Sequence, residues 1–374
     1  MTFAAFYFLA LIPVVVGGVI WWFNHRFCWW EWAVSSALAF IVAGITHWSV
    51  AAGMVADEEV WSGEVTRVEY QPAWRERYKE AIYRTETYTS GFGKNRRTHT
   101  RRVFSHYETR YDNHPDRWSA VTNLDMELSI SKARHAEIAG KLGNKVESKP
   151  GRRSTWRTGS TMVSGDPNDY WVRNSTAHVE PVIKGVSFEN RVKASPSVFS
   201  YAPLSEAEAL RLPDYPAASD HWRSQRVIWA PVDAYKWDQM NAKLGPAKDV
   251  NVILVRLGSP KEARKLEAKW IGGKKNDLVL TYGKGWSYVF GWSETSITKR
   301  NLETLLLDPV GDDLIPKVAA EIRRTYKAVD WHKFDYLDLE PRAMHVWILI
   351  GIMTLTQAGI IFWGLSNGHD RGRA

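Results

Sequence analysis

The sequence predicts an α+β membrane protein: an N-terminal transmembrane helical hairpin, a β-rich domain, a small α/β sandwich domain and a C-terminal transmembrane helix. Three observations predict it. Residues 3–23, 32–54 and 343–366 are hydrophobic runs without Asp, Glu, Lys or Arg. The stretch after the second run alternates Tyr and Thr with charged residues, the period-2 signature of strands. From residue 227 onward, apolar strands and amphipathic helices take turns, the pattern of a layered α/β module. The expected divisions are 1–54, 55–203, 204–335 and 343–366.

A helix rises about 1.5 Å per residue, so about 20 apolar residues cross a hydrocarbon core of roughly 30 Å. Only residues 24–31 separate the first two runs, enough for a tight turn at one membrane surface. The first run lacks a basic n-region and outlasts a usual signal-peptide core, so it reads as a retained span. Trp21, Trp22, Trp29, Trp30, Trp32, Trp48, Trp347 and Trp363 sit at the expected boundaries, as an aromatic belt would. The spans hold no Asp, Glu, Lys or Arg, which argues against a transport or proton path. His47 and Gln357, strongly polar inside spans, are expected to pack against a neighbouring span.

Charge sets the expected orientation. The turn carries Arg26 and the C-terminal tail Arg371 and Arg373, whereas the borders of the large domain are acidic: Asp57, Glu58 and Glu59, then Asp335, Asp338 and Glu340. Positive residues in short loops stay cytoplasmic. The chain is therefore expected in the inner (cytoplasmic) membrane as a multi-pass protein, with its soluble domain extracytoplasmic and its C-terminal tail cytoplasmic. Its net charge of +8 favours anionic surfaces. The single cysteine, Cys28, excludes an intramolecular disulfide and a Cys-based zinc site.

Along the chain, residues 57–68 predict a strand, and 83–89 with 98–111 a long hairpin around the Gly91-Phe92-Gly93-Lys94 turn. Residues 118–121 and 126–130 predict strands, and 131–142 a helix with a Ser N-cap. Residues 150–165 read as a basic Gly/Ser-rich loop, 169–172 and 182–192 as strands, and 204–212 as a short helix. The α/β module follows: helix 234–244 stopped by Gly245-Pro246, strand 250–256, helix 260–270, strands 277–282 and 286–292, and helices 298–307 and 314–326.

The phrases Leu257-Gly258-Ser259, Ile271-Gly272-Gly273-Lys274-Lys275, Asn276-Asp277-Leu278-Val279-Leu280 and Tyr288-Val289-Phe290-Gly291-Trp292-Ser293-Glu294, in this order, resemble the TPM domain family over about residues 230–330. That family occurs in thylakoid-lumen, photosystem-repair and bacterial envelope proteins. The resemblance implies an α/β sandwich and, by extension, phosphatase activity with a divalent metal held by acidic residues. The family's Asp-Asn-Gly is Asn276-Asp277-Leu278 here, and its Gly-aromatic-Gly is Gly291-Trp292-Ser293. These departures fall where such a site would lie, so the resemblance carries the fold more than the chemistry. Residues 57–201 loosely resemble uncharacterised bacteriophage membrane proteins that begin with acidic-x-Trp-Ser-Gly, here Glu59-Val60-Trp61-Ser62-Gly63, which implies a phage or bacterial source.

Three constellations carry chemistry. His106 and Glu108 share one strand face and, with His114, supply acceptable zinc ligands; Asp277 is the acidic candidate in the α/β module. Read blandly, they are a solvated polar face and a loop carboxylate. Lys94, Arg96, Arg97, Arg101 and Arg102, with Tyr88, Phe92 and Phe104 close by, form a basic aromatic run suited to an anionic lipid or protein partner. Read blandly, they protect a sheet edge. An extracytoplasmic position argues against nucleic acid. Asp277, Glu294, Asp308, Asp312 and Asp313 lie at strand ends and loops, where they could hold Ca²⁺ or Mg²⁺ or serve as helix caps. No GxSxG, GxxxxGK[ST], HExxH or helix-leading GxGxxG occurs. The expectation is a non-enzymatic membrane protein that displays its domain to a protein partner or a second copy, as a scaffold or assembly factor. The alternatives are a membrane-bound, metal-dependent, phosphatase-like hydrolase and a phage factor that modifies the host envelope.

Overall fold

A computed structural model describes residues 3–23, 29–92, 96–142, 146–150, 160–165, 169–174, 179–196, 200–216, 218, 220–222 and 225–371. The sequence positions Arg26, Cys28, Lys94 and Arg373 lie outside them. The chain is mixed α+β with long apolar helices at both ends. It groups into two compact units: Ser62–Val182, and Met1–Trp61 with Ile183–Ala374.

The chain begins with α1 (Ala4–Phe23) and α2 (Trp29–Val55). It continues without a break into β1 (Ala56–Gln71), then β2 (Trp74–Ser90) and β3 (Arg97–His114). These last two pair antiparallel from Trp74↔His114 to Ser90↔Arg97, with one irregularity beside Ile82/Tyr83. The expected hairpin is there, longer at both ends. Strands β4 (Arg117–Thr122) and β5 (Glu127–Ser129) follow, then α3 (Lys132–Lys141), whose N-cap Ser131 accepts the Arg134 N–H. Next come β6 (Val146–Pro150), β7 (Thr161–Ser164), β8 (Asp169–Asn174) and β9 (Pro181–Glu189). One sheet runs β5-β4-β1-β8-β6, with β9 also paired to β1, and a separate sheet runs β3-β2-β7.

Two expectations change in this stretch. The reading of 150–165 as loop fails at β7, where Thr161, Met162 and Ser164 pair with β2. The strand expected over 182–192 ends at Glu189. There the Asn190 side chain caps the Lys193 N–H and starts a helical turn, α4 (Arg191–Ala194). A side chain that caps a helix competes with strand continuation.

The α/β module starts after α5 (Glu206–Arg211), a helix closed by a Ser205/Glu208 capping box. Strand β10 (Val227–Ile228) is too short to show in the sequence. Then come α6 (Ala234–Lys248), β11 (Asn251–Arg256), α7 (Pro260–Lys269), β12 (Asp277–Gly283), β13 (Trp286–Gly291), α8 (Ser296–Leu305) and α9 (Leu314–Thr325). Helix α6 runs through Gly245-Pro246 instead of stopping there. Gly245 has no Cβ to meet the proline ring, and a proline in the last turn removes a single donor. The sheet order is β10-β11-β12-β13, with β13 the antiparallel member.

Alternate residues of the same strands face two separate cores. Leu254 and Leu280 pack with Trp237 and Leu244 of α6, Leu302 of α8 and Val318 and Ile322 of α9. Ile253, Val255 and Val279 pack with Ala263 and Leu266 of α7, and with Leu212. The module is therefore three-layered, with helices on both sheet faces.

The chain ends in α10 (Ala343–Arg371). Helices α1, α2 and α10 are long and apolar enough to cross a membrane. They pack through small and apolar groups: Phe6, Ala10, Ala39, Ala43, Leu349 and Met353. Polar side chains pair across the helices, as a low-dielectric environment requires. Ser35 Oγ donates to Gln357 Oε1, Trp32 Nε1 donates to the Val14 carbonyl at 2.8 Å, and the His47 ring stacks on Phe3. Their outer faces leave Phe8, Trp22, Trp48 and Leu355 exposed. A continuous apolar surface of this kind costs free energy in water and none against lipid tails.

Candidate functional site

The two-stranded ribbon β2–β3 carries most of the residues that the sequence singles out. Its outer part is exposed on both faces because Tyr, Thr, Arg and Glu alternate without an apolar face to bury. His106 lies opposite Ile82, Glu108 opposite Glu80, and His114 opposite Trp74. All three share one side of β3, but Glu108 and His114 are six residues apart, roughly 20 Å along a strand. Glu108 accepts from Arg110 at 3.0 Å. His114 stacks on the Trp74 ring, with centroids 3.7 Å apart, and its Nε2 is 3.3 Å from Oε1 of fully buried Glu76. Among the described residues, no group of three or more His, Cys, Asp or Glu is placed to hold a metal ion.

The basic run is partly neutralised within the ribbon. Arg101 bonds Glu86 at 3.1 Å and lies 5.6 Å from the Tyr88 ring centroid. Arg102 lies at the same distance from Tyr83. Arg101, then Arg84, hold the half-buried Glu86 carboxyl below its ordinary range. Arg96 and Arg97 are exposed at the turn end of the ribbon.

Asp277 sits in a different chemical setting. It opens β12 and is the direct cross-strand neighbour of Asn251, the first residue of β11. Three left-handed residues precede it, Ile271, Gly272 and Gly273. At Gly273 a Cβ would come within 3.1 Å of the Asp277 Cβ, so the turn needs glycine for both space and dihedral. This turn brings the Lys274 N–H to Oδ2 of Asp277 at 2.6 Å. Oδ1 accepts from the Tyr215 hydroxyl at 3.0 Å and from Asn251 Nδ2 at 2.8 Å. Burial pushes the Asp277 carboxyl above its ordinary range, and these donors only partly offset it. Burial, then the Asp277 charge, raises the Tyr215 hydroxyl well above its usual value. Fully buried Arg226, whose ionisation burial lowers, bonds Asp238 at 3.2 Å.

The next side chains reach the strand that leaves α2. Lys274 Nζ bonds Asp57, Lys275 Nζ is 3.5 Å from Glu59, and Asn276 Nδ2 donates to the Val60 carbonyl at 2.9 Å. Asp57 also accepts from Asn190 Nδ2 at 2.8 Å, while the Asn190 N–H donates to the Val55 carbonyl. Burial pushes Asp57 up, but Lys274 and Asn190 outweigh it and hold the carboxyl low. The entry to α10 is tied to the same region: Ser195 Oγ donates to the Asp338 carbonyl at 2.6 Å, and the Glu340 N–H to the Ala194 carbonyl at 3.0 Å. These bonds form a strap joining the exit of α2, the approach to α10 and the amino ends of β11 and β12. With three donors filling both oxygens of a fully buried carboxylate, Asp277 is built to hold position.

Of the remaining acidic candidates, Asp308 is exposed and the others pair with nearby donors. Asp312 accepts from the Asp233 N–H and Lys236, Asp313 pairs with Lys317, and Lys327 and Lys333 hold Glu294 down at about 2. The strap residue Asn190 and the polar residues Tyr215, Arg226 and Asn251 escape the sequence reading. Their partners are 12 to 133 positions away in the chain, and Asp57 and Lys274 are 217 apart. The available signal was the acidic cluster beside a span and the Gly-Gly-Lys-Lys-Asn-Asp phrase, each legible singly and not as a pair. No family model, no curated protein and no solved structure matches the chain.

Proposed function

We propose that the chain is a three-span integral protein of the inner membrane that displays an extracytoplasmic domain to a protein partner, as a scaffold or assembly factor. The strap carries this reading. A domain on one flexible tether samples all orientations, whereas side-chain bonds at both membrane connections fix the module against the bundle. Fixed orientation serves assembly, where geometry toward a partner matters. The order helix, strand, helix, strand, strand, helix, helix supports a TPM-like module. The Glu59–Gly63 phrase supports a phage-encoded protein, for which the partner would be a host envelope component.

A photo-reactive amino acid at exposed Tyr107, introduced in living cells, should yield a discrete cross-linked species, homomeric or with one partner. Only lipid adducts would sink the scaffold reading. Orientation is checked with an impermeant thiol reagent on Cys28 in intact cells: no labelling is expected, and strong labelling reverses the topology. Melting the purified chain with Ca²⁺, Mg²⁺ and Zn²⁺ separates the scaffold from a metal-dependent hydrolase, which requires a stabilising shift that Asp277→Ala removes.

A further inference from the structure

A crevice of about 600 Å³ opens at the carboxyl ends of β10, β11 and β12. Its position follows from the connections. Helix α6 leaves β10 for the sheet face that holds Trp237 and Leu244. Helix α7 leaves β11 for the opposite face, where Ala263 and Leu266 are buried. Loops that leave neighbouring parallel strands in opposite directions part, and ligands of open α/β sheets bind in that gap. The volume falls within the roughly 300–1,000 Å³ of small-molecule sites.

The lining sets the chemistry. It holds Arg211, Arg256, Lys265 and Lys284 against Glu208 and Glu262, an excess of positive charge. Both carboxylates are engaged: Glu208 with Lys265 at 2.5 Å, and Glu262 with the Gly258 N–H at 2.8 Å. Arg211, Arg256 and Lys284 are exposed and form no ion pair among the described residues. Gly283 lets the floor pack closely, since a Cβ there would collide with Trp286 Nε1 and the Leu257 carbonyl. Trp229 stands at the end of β10 with φ at 57° and is 60% exposed. A bulky residue in the left-handed region with its ring in solvent is costly twice over, and such outliers gather at ligand sites.

We propose that this crevice binds a soluble phosphorylated small molecule carrying a planar ring, its phosphate on Arg211, Arg256 and Lys284 and its ring against Trp229. Guanidinium forks match phosphate oxygens, and an indole face accepts a planar ring. The ligand is soluble because the strap meets the amino ends of β11 and β12, so the crevice lies at the far end, about 20 Å along the strands.

The test is calorimetric titration of the full chain in phosphatidylcholine nanodiscs with ADP, adenosine, ribose 5-phosphate and dihexanoyl phosphatidylglycerol. ADP should bind below the millimolar range, with adenosine and ribose 5-phosphate each weaker by at least about tenfold. Arg256→Gln with Lys284→Gln should weaken ADP by about a hundredfold, and Trp229→Leu by about tenfold, with melting temperatures unchanged. Should the double variant misfold, Lys284→Glu on its exposed turn replaces it and should also weaken ADP. No ADP binding, ADP binding that survives these charge changes, ribose 5-phosphate binding equal to ADP, or phosphatidylglycerol competing at ADP's affinity would each overturn the proposal.

Discussion

The sheet β10–β13 and the ribbon β2–β3 use the same backbone ladders and differ in what covers them. From Asn251 to Val255 every residue of β11 is buried, whereas along β3 only Val103, Asp112 and His114 are even partly covered. In the module, two apolar cores do the stabilising, and a polar group is tolerated only with its partners filled. In the ribbon, cross-strand pairs worth about 0.2–1 kcal/mol each hold the strands, and water satisfies everything else. The same residue type therefore means different things. Asp277, buried with three donors, is a fixed joint; Glu86, only half-buried between two arginines, is a charge that water still reaches. Candidate chemistry read from residue types alone could not make that distinction.

The contrast can be broken by substitution. The largest effect should come from Trp237→Ala, which empties the module core and removes the indole donor to the Val252 carbonyl. A loss of about 3–5 kcal/mol is expected from denaturant unfolding, and a loss below about 1 kcal/mol would show that the cores do not carry the module. Asp277→Ala comes next. It leaves the Tyr215 hydroxyl, the Asn251 amide and the Lys274 N–H without their acceptor, a cost on the order of 3 kcal/mol. Asp277→Asn should cost less, because it keeps one carbonyl acceptor.

Acid sharpens the strap. Asp57 is held below its ordinary value by Lys274 and Asn190, despite burial. Its stabilisation is therefore present above the unfolded carboxyl pKa and lost as pH falls through the folded one. Asp277, raised by burial, has the opposite sign: its ionisation opposes folding as pH rises past the unfolded value. Melting temperature followed from neutral pH into the acid range should fall for the native chain. The fall should be shallower for Asp57→Asn, and identical slopes would remove Asp57 from the strap. The smallest effect is expected on the ribbon, where Tyr107→Ser should change stability by no more than about 0.5 kcal/mol. A larger loss would mean the ribbon packs against something in the native assembly.

Much of the fold was legible in the sequence because local rules dictate it. Charge-free runs marked α1, α2 and α10. Thr/Tyr alternation marked β2 and β3, and Ser131 marked the start of α3. The misses also have physical causes. Gly245-Pro246 reads as a stop signal, yet α6 passes through it because glycine relieves the clash. Strand β10 spans two residues and exists only because β11 offers it a partner. The candidate sites were less legible: His106 and Glu108 do share a face of β3, but strand rise spreads Glu108 and His114 too far apart for one ion.

The apolar helices, the periodicity of strands and helices, and the charge of each segment follow from neighbours within a few residues and so were readable along the chain. Folding alone brings Lys274, Lys275 and Asn276 to the exit of α2, buries Asp277 among its donors and opens a positively lined crevice beyond β10–β12. Those features depend on which distant groups share a low-dielectric space, and that is fixed by packing.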